Sequence, residues 1–195
     1  MAYEFGPRTA LVVVDIQNDF AHPDGSLYVK GAAQVIARAN ELITRAQEAG
    51  APVFYTLDWH PVSTPHFQKD GGVWPVHCVA ETWGSELHAD LTLVGERVRK
   101  GVGGEDGYSG FTVRDPQTGE TAATTLEAAL RQHDIARVVV IGLATDYCVV
   151  ETAIDAAHLG FRTTAIRDAM AAVDLTPGDG DRAVERMQQA GVEVV

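Results

Sequence analysis

Val138-Val139-Val140-Ile141-Gly142-Leu143-Ala144-Thr145-Asp146-Tyr147-Cys148 changes its period partway through. The run from Val138 to Leu143 is apolar and largely β-branched, the pattern of a strand covered on both faces. From Val149 to Leu159 the apolar residues recur at helical spacing, and Gly160 stands just past them, where a left-handed C-cap belongs. Arg162–Ile166 then resumes the strand pattern. Strand, helix and strand in that order form a βαβ unit, so the two strands are expected to run parallel.

The same alternation extends in both directions. Ala10–Val14, Val53–Leu57, Arg97–Lys100 and Val192–Val195 read as further strands, and Gln34–Glu48, Thr125–Gln132 and Asp181–Ala190 as helices. Gly50 and Gly191 follow helical patterns, and Thr124-Thr125-Leu126-Glu127 fits a capping box. No internal repeat, low-complexity tract or linker composition interrupts the chain. Residues 59–90 hold little periodic structure yet carry His60, His66, Trp74, His77 and Cys78, which argues for a functional loop over a disordered one.

Composition narrows the partners. A chain of 195 residues with 46% hydrophobic content can fill one core, so a single domain is expected. Its 15 Lys and Arg against 27 Asp and Glu leave a formal charge of -12, which repels a phosphate backbone and an anionic membrane alike. Neither nucleic acid nor a membrane is expected as a partner. The first apolar run ends at Asp15 with no basic lead-in, so no export signal or span is read, and Cys78 and Cys148 are too few for a disulfide scaffold. These features predict a cytoplasmic protein with reduced thiols. Edge strands and apolar helix faces leave room for a homo-oligomer without specifying one.

In an open parallel sheet, ligands bind beyond the carboxyl ends of the strands. Those ends deliver Asp15, Asp58, Lys100 and the segment leading to Cys148. Cys148 is expected in the first turn of a helix, where free N–H groups and the positive dipole end should lower its pKa and could hold an oxyanion. Lys100 would add positive charge, and Asp15 is placed to shuttle the proton. Taken singly, a free cysteine is more often a small buried apolar residue, and Asp15 and Lys100 more often a turn-forming cap and a solvated cation. Asp58 and His60 stand two apart on a continuing strand and so share a face, with His77 arriving from the loop. Carboxylate and imidazole ligation with open positions suits Zn, Mn or Fe(II), although an Asp-x-His pair also occurs as an ordinary hydrogen-bonded pair. His66 would complete the set or merely decorate the loop.

Together, Asp15-Ile16-Gln17-Asn18-Asp19-Phe20, Asp58-Trp59-His60 with His66, Trp74-Pro75-Val76-His77-Cys78, Lys100, Tyr108-Ser109-Gly110-Phe111 and Gly142 to Val149 resemble the nicotinamidase branch of the isochorismatase-like cysteine hydrolases. The resemblance runs across nearly the whole chain. It implies the α/β fold of that family, a single domain over residues 1–195 with three αβα layers and a six-stranded parallel, Rossmann-like sheet. It implies a catalytic triad of Asp15, Lys100 and Cys148, backbone oxyanion donors at Ala144 and Cys148, and a cis Leu143-Ala144 peptide. A divalent metal, zinc before Mn or Fe, would be held by Asp58, His60 and His77 with His66 as a further ligand. Phe20, Trp74 and Tyr108 would wall an aromatic ring. The activity implied is hydrolysis of nicotinamide, and of pyrazinamide, through a cysteine thioester in NAD salvage. Cysteine amidases acting on carbamoyl or ureido substrates keep the triad and generally lack the metal motif, so they are the alternative. From another class, the histidines could hold a structural ion in a protein without catalysis. Asp19, Lys30 and Cys78 carry no assigned role.

Overall fold

A computed structural model describes residues 3–195, so the first two positions of the expected 1–195 domain lie outside the described residues. The chain forms β1 (Thr9–Val14), a short α1 (Asn18–Ala21), α2 (Ala32–Glu48), β2 (Val53–Asp58) and β3 (Glu96–Lys100). A hairpin of β4 (Thr112–Arg114) and β5 (Thr121–Ala123) follows, then α3 (Leu126–Gln132) and β6 (Arg137–Leu143). The remainder is α4 (Val150–His158), β7 (Arg162–Ala171), α5 (Asp179–Gln189) and β8 (Glu193–Val194).

The six-stranded sheet has the order β3-β2-β1-β6-β7-β8, and every pairing in it is parallel. The chain builds outward from β1 to β3 and then returns to lay β6 against the other side of β1. Strand order therefore reverses between β1 and β6, and the crevice at their carboxyl ends is where an open α/β sheet takes its ligand. Val14 stands opposite Gly142 there. Gly142 has φ +119°, and a Cβ on it would run into the Val14 backbone, so the close approach of these strand ends requires glycine.

Alternation along the central strands divides the core in two. Leu11, Val13, Val139 and Ile141 face α2 and its Val35, Leu42 and Ile43, whereas Ala10, Val12, Val138 and Val140 face Leu130 of α3, Ala153 of α4 and Met187 of α5. Helices cover both faces, which is why these strands are apolar beyond their first residues, Thr9 and Arg137, and show no polar side. Truncating Leu42 to Ala would cost about 2–5 kcal/mol, since its side chain is fully enclosed.

Three local features differ from the sequence reading. The helix after β6 opens with a π turn over Thr145–Val149, so the first turn that holds Cys148 is wider than the α turn the sequence suggests. The capping box is half formed: Leu126 N–H donates to Thr124 Oγ1 at 3.1 Å, but the Glu127 carboxylate takes Arg131 at 3.3 Å and does not turn back. Hairpin β4–β5 has no counterpart in the hydrophobic pattern, because its Thr, Arg and Ala residues are mostly exposed and bury no apolar face. Among the described residues no helix is long and apolar enough to cross a membrane.

Candidate active site

Lys100 is 1% exposed at the end of β3, so it is not a solvated strand-end cation. Its Nζ donates to Asp15 Oδ2 at 2.7 Å, to Asp58 Oδ1 at 2.5 Å and to the Gly107 carbonyl, and lies 3.7 Å from Cys148 Sγ. A buried charge persists only when paired and hydrogen-bonded, and this ammonium is both. Burial works against it, but Asp15 and Asp58 outweigh burial and hold Lys100 well above the ordinary lysine value. Asp15 ends β1 at φ 49° and also accepts a 2.6 Å bond from Thr56 Oγ1. Burial raises its pKa above the usual carboxylate range, with Lys100 opposing and the Asp58 charge adding. Asp58 is pushed the other way. Burial would raise it, but Lys100 and His60 carry it well below the usual range.

The thiol corrects one expectation. Burial lifts Cys148 well above the ordinary cysteine value, and Asp15 and Asp58 reinforce that against Lys100. Burial, helped by the two carboxylates, outweighs the ammonium, so the resting group is a thiol that needs a base. Asp15 is in reach, since Asp15, Asp58 and Cys148 each place a polar atom within 4.8 Å of the others.

The second cluster comes from loops. His60, His66 and His77 bring ring nitrogens within 4.8 Å of one another, and all three are buried. Asp58 joins the two clusters: its Oδ1 takes Lys100, while its Oδ2 lies 3.8 Å from both His60 Nε2 and His77 Nε2. His77 Nδ1 donates to the Pro75 carbonyl at 2.8 Å, and His66 Nδ1 meets Asp106 Oδ1 at 2.6 Å. Both acceptors place the proton on Nδ1 and leave the Nε2 lone pair for a cation. Burial pulls the His77 pKa down to about 4, so the ring is neutral, the form that binds metal. His60 supplies the test of fit. Its Nδ1 and Nε2 are buried with no hydrogen-bond partner among the described residues, an arrangement that costs about 1–3 kcal/mol and is relieved by a cation. One carboxylate and three imidazoles suit Zn, Mn or Fe(II). Gly101, at φ +75°, passes so close that a Cβ there would lie 2.6 Å from His60 Cε1.

Both clusters border a cavity of about 290 Å³, into which Asp58, His66, His77 and Cys148 all face. Phe20, Trp74 and Tyr108 line it as the sequence predicts. Trp74 Nε1 donates to Tyr108 Oη at 2.8 Å, which ties two of the walls together. Sequence reasoning missed Tyr147, whose ring lies parallel to Tyr108 at 6.4 Å, and the cover formed by Leu27 and Val29. The Leu143-Ala144 peptide is cis, as expected, and the Ala144 carbonyl accepts from Tyr147 and Val149 N–H, both at 3.1 Å.

Supporting side chains were equally hidden. Gln17 donates to the Asp58 and Ser85 carbonyls at 2.7 and 2.9 Å and accepts from Asp58 N–H at 2.8 Å, locking the strand end. Asp19, which had no assigned role, accepts from Cys78 N–H at 2.7 Å and Ser26 N–H at 3.1 Å, so it pins the His77 turn to the cover of the cavity. Cys78 is buried with its thiol raised well above the ordinary value by burial, which marks it as inert packing.

The isochorismatase domain model matches residues 9–195. The nicotinamidase of Escherichia coli (strain K12) is 35% identical, the alignment covering 95% of this chain and 93% of that protein. Among solved structures, the pyrazinamidase of Pyrococcus horikoshii in complex with zinc superposes with a TM-score of 0.85 at 38% identity, covering 97% and 99% of the two chains. PnC1 from L. infantum in complex with nicotinate gives a TM-score of 0.90 at 32% identity, covering 100% of this chain and 96% of that one.

Proposed function

The chain belongs to the isochorismatase domain family, and from that premise we propose that it is a nicotinamidase, which cleaves nicotinamide to nicotinate and ammonia in NAD salvage and also accepts pyrazinamide. The observation that carries this reading is one cavity bordered at one end by a thiol beside a Lys–Asp pair and at the other by His66 and His77, behind which both nitrogens of His60 lack a partner among the described residues. A space of about 290 Å³ suits a small aromatic amide and no polymer.

The chemistry follows from the resting protonation states. Asp15 takes the proton of Cys148 as Sγ adds to the carboxamide carbon, and Lys100 at 3.7 Å steadies the charge on sulfur. The N–H groups of Ala144 and Cys148 receive the oxyanion, each such donor contributing about 10²–10³-fold. As the C–N bond breaks, Asp15 returns the proton to nitrogen, so ammonia leaves and a thioester remains. Water, giving its proton to Asp15, adds to the thioester, the thiolate is expelled and reprotonated, and nicotinate departs. Phe20, Trp74 and Tyr108 hold the ring and exclude water from its faces. A divalent ion held by Asp58, His60, His66 and His77, zinc before Mn or Fe, would supply a Lewis-acidic anchor for the ring nitrogen.

Ammonia release from nicotinamide, before and after chelator dialysis and after metal add-back, tests the assignment. Release that disappears with the metal and returns with it supports the proposal. No release from nicotinamide by the metal-loaded, reduced enzyme, with turnover of a carbamoyl or ureido substrate, would replace it with the alternative amidase.

A further inference from the structure

Resting on the reading that the three histidines hold a divalent cation, we propose that Asp106 is a positioning residue for that site. Its carboxylate selects the ring orientation of His66 that presents Nε2 as a ligand, and hairpin β4–β5 holds Asp106 in register to do so.

His66 stacks on His60 with ring centroids 4.6 Å apart and an interplanar angle of 20°, with Trp74 lying on it at 6.5 Å and 30°. Stacking of this kind fixes the plane of an imidazole but not which way round it lies, because turning the ring over exchanges Nδ1 with Cδ2 and Nε2 with Cε1 at little steric cost. The bond to Asp106 Oδ1 makes the distinction. It is 2.6 Å long between side chains only 4% and 18% exposed, and a carboxylate accepts only Nδ1–H, which confines the lone pair to Nε2.

Asp106 is itself clamped. Its N–H donates to the Arg114 carbonyl at 2.7 Å and its carbonyl accepts from Arg114 N–H at 2.9 Å, the last rung of β4. Strand β4 pairs with β5 on one side and, through Arg114, with Asp106 on the other; β4 and β5 are largely exposed, and Thr112 ties the hairpin to Asp155 of α4 at 3.0 Å. A hairpin that buries so little apolar surface adds little to the core. Its one link to the chemistry is the rung that sets Asp106.

Zinc affinity of the metal-free protein, read by competition with a chromogenic chelator, tests the proposal without reference to turnover. Asp106→Ala should weaken zinc about 10- to 100-fold, and Asp106→Asn, which keeps an acceptor oxygen, should recover most of that loss. In a His66→Ala background, Asp106→Ala should add nothing. Arg114→Pro, which removes one bond of the rung and leaves Asp106 in place, should weaken zinc to a smaller degree and covers the case in which Asp106→Ala fails to fold. Wild-type affinity in Asp106→Ala or in Arg114→Pro, or an equal loss with and without His66, would overturn the proposal. Absence of zinc binding by the wild type would instead overturn the metal reading on which it rests.

Discussion

The two ends of the cavity are built on different supports. Asp15, Asp58 and Lys100 stand at the ends of parallel strands whose backbones are held on both sides, and the polar atoms of this end find partners within the protein. His60, His66 and His77 come from the long connection after β2, and His60 has no hydrogen-bond partner for either nitrogen among the described residues. The first end is satisfied as folded, whereas the second, on the reading proposed above, is completed by a divalent ion. The reactive groups thus sit on the sheet, and the histidines sit on the loops.

The contrast can be broken most sharply at the sulfur. Cys148→Ala should lower turnover by about 10⁴-fold or more, since members of a catalytic unit fail together, while metal content by elemental analysis stays at the wild-type level. Loss of metal in this variant would show that the two ends do not operate as separate supports. Lys100→Met comes next. It leaves Asp15 and Asp58 facing each other without their shared cation, so chemical denaturation should report a loss of about 3–5 kcal/mol, and wild-type stability would refute the account of the strand-end cluster.

Removing the divalent ion should act on the other end. Relative to protein with metal at about 100 to 1,000 times its Kd, stability should fall by about 3–4 kcal/mol, with amide protection lost in residues 60–80 and kept in β1 and β6. Uniform loss across the sheet would contradict the division. The smallest effect is expected from Thr56→Val. The Thr56 bond favours the Asp15 carboxylate, so its loss raises an already raised pKa. Because the base must be ionised, activity grows as pH rises through that value and is lost below it, and the acid limb of kcat/KM should move up by about one pH unit. An unmoved limb would mean that Asp15 does not set it.

What could be read in advance follows the same division. The strands and the helices facing them were legible because burial on both faces forces continuous apolar runs, and strand ends are the natural place to look for reactive groups. Asp15, Asp58 and Lys100 were found by that rule, and His60, His66, His77, Phe20, Trp74 and Tyr108 by a pattern of motifs in order. Thr56, Gln17 and Asp106 were not, because each acts through a contact between residues far apart in the chain, such as the 41 positions separating Thr56 from Asp15. Gln17 lies inside a quoted motif, and even so nothing local marks it as the brace of Asp58. The raised pKa of Cys148 escaped for a related reason, since position at a helix start is visible in sequence and burial beside two carboxylates is not. Hairpin β4–β5 escaped as well, because it carries no apolar pattern.

Gly101 follows Lys100 directly and lies against the His60 ring. The residue that serves the thiol and the residue that yields space to the histidine are thus neighbours in the chain, so the two ends of the cavity share a segment of inheritance. A side chain at this position would meet the His60 ring, and the φ of +75° would strain it even with the ring removed. The glycine is thus required on two counts, and an engineer transplanting either end of the cavity into another scaffold would have to carry Lys100 and Gly101 as a pair.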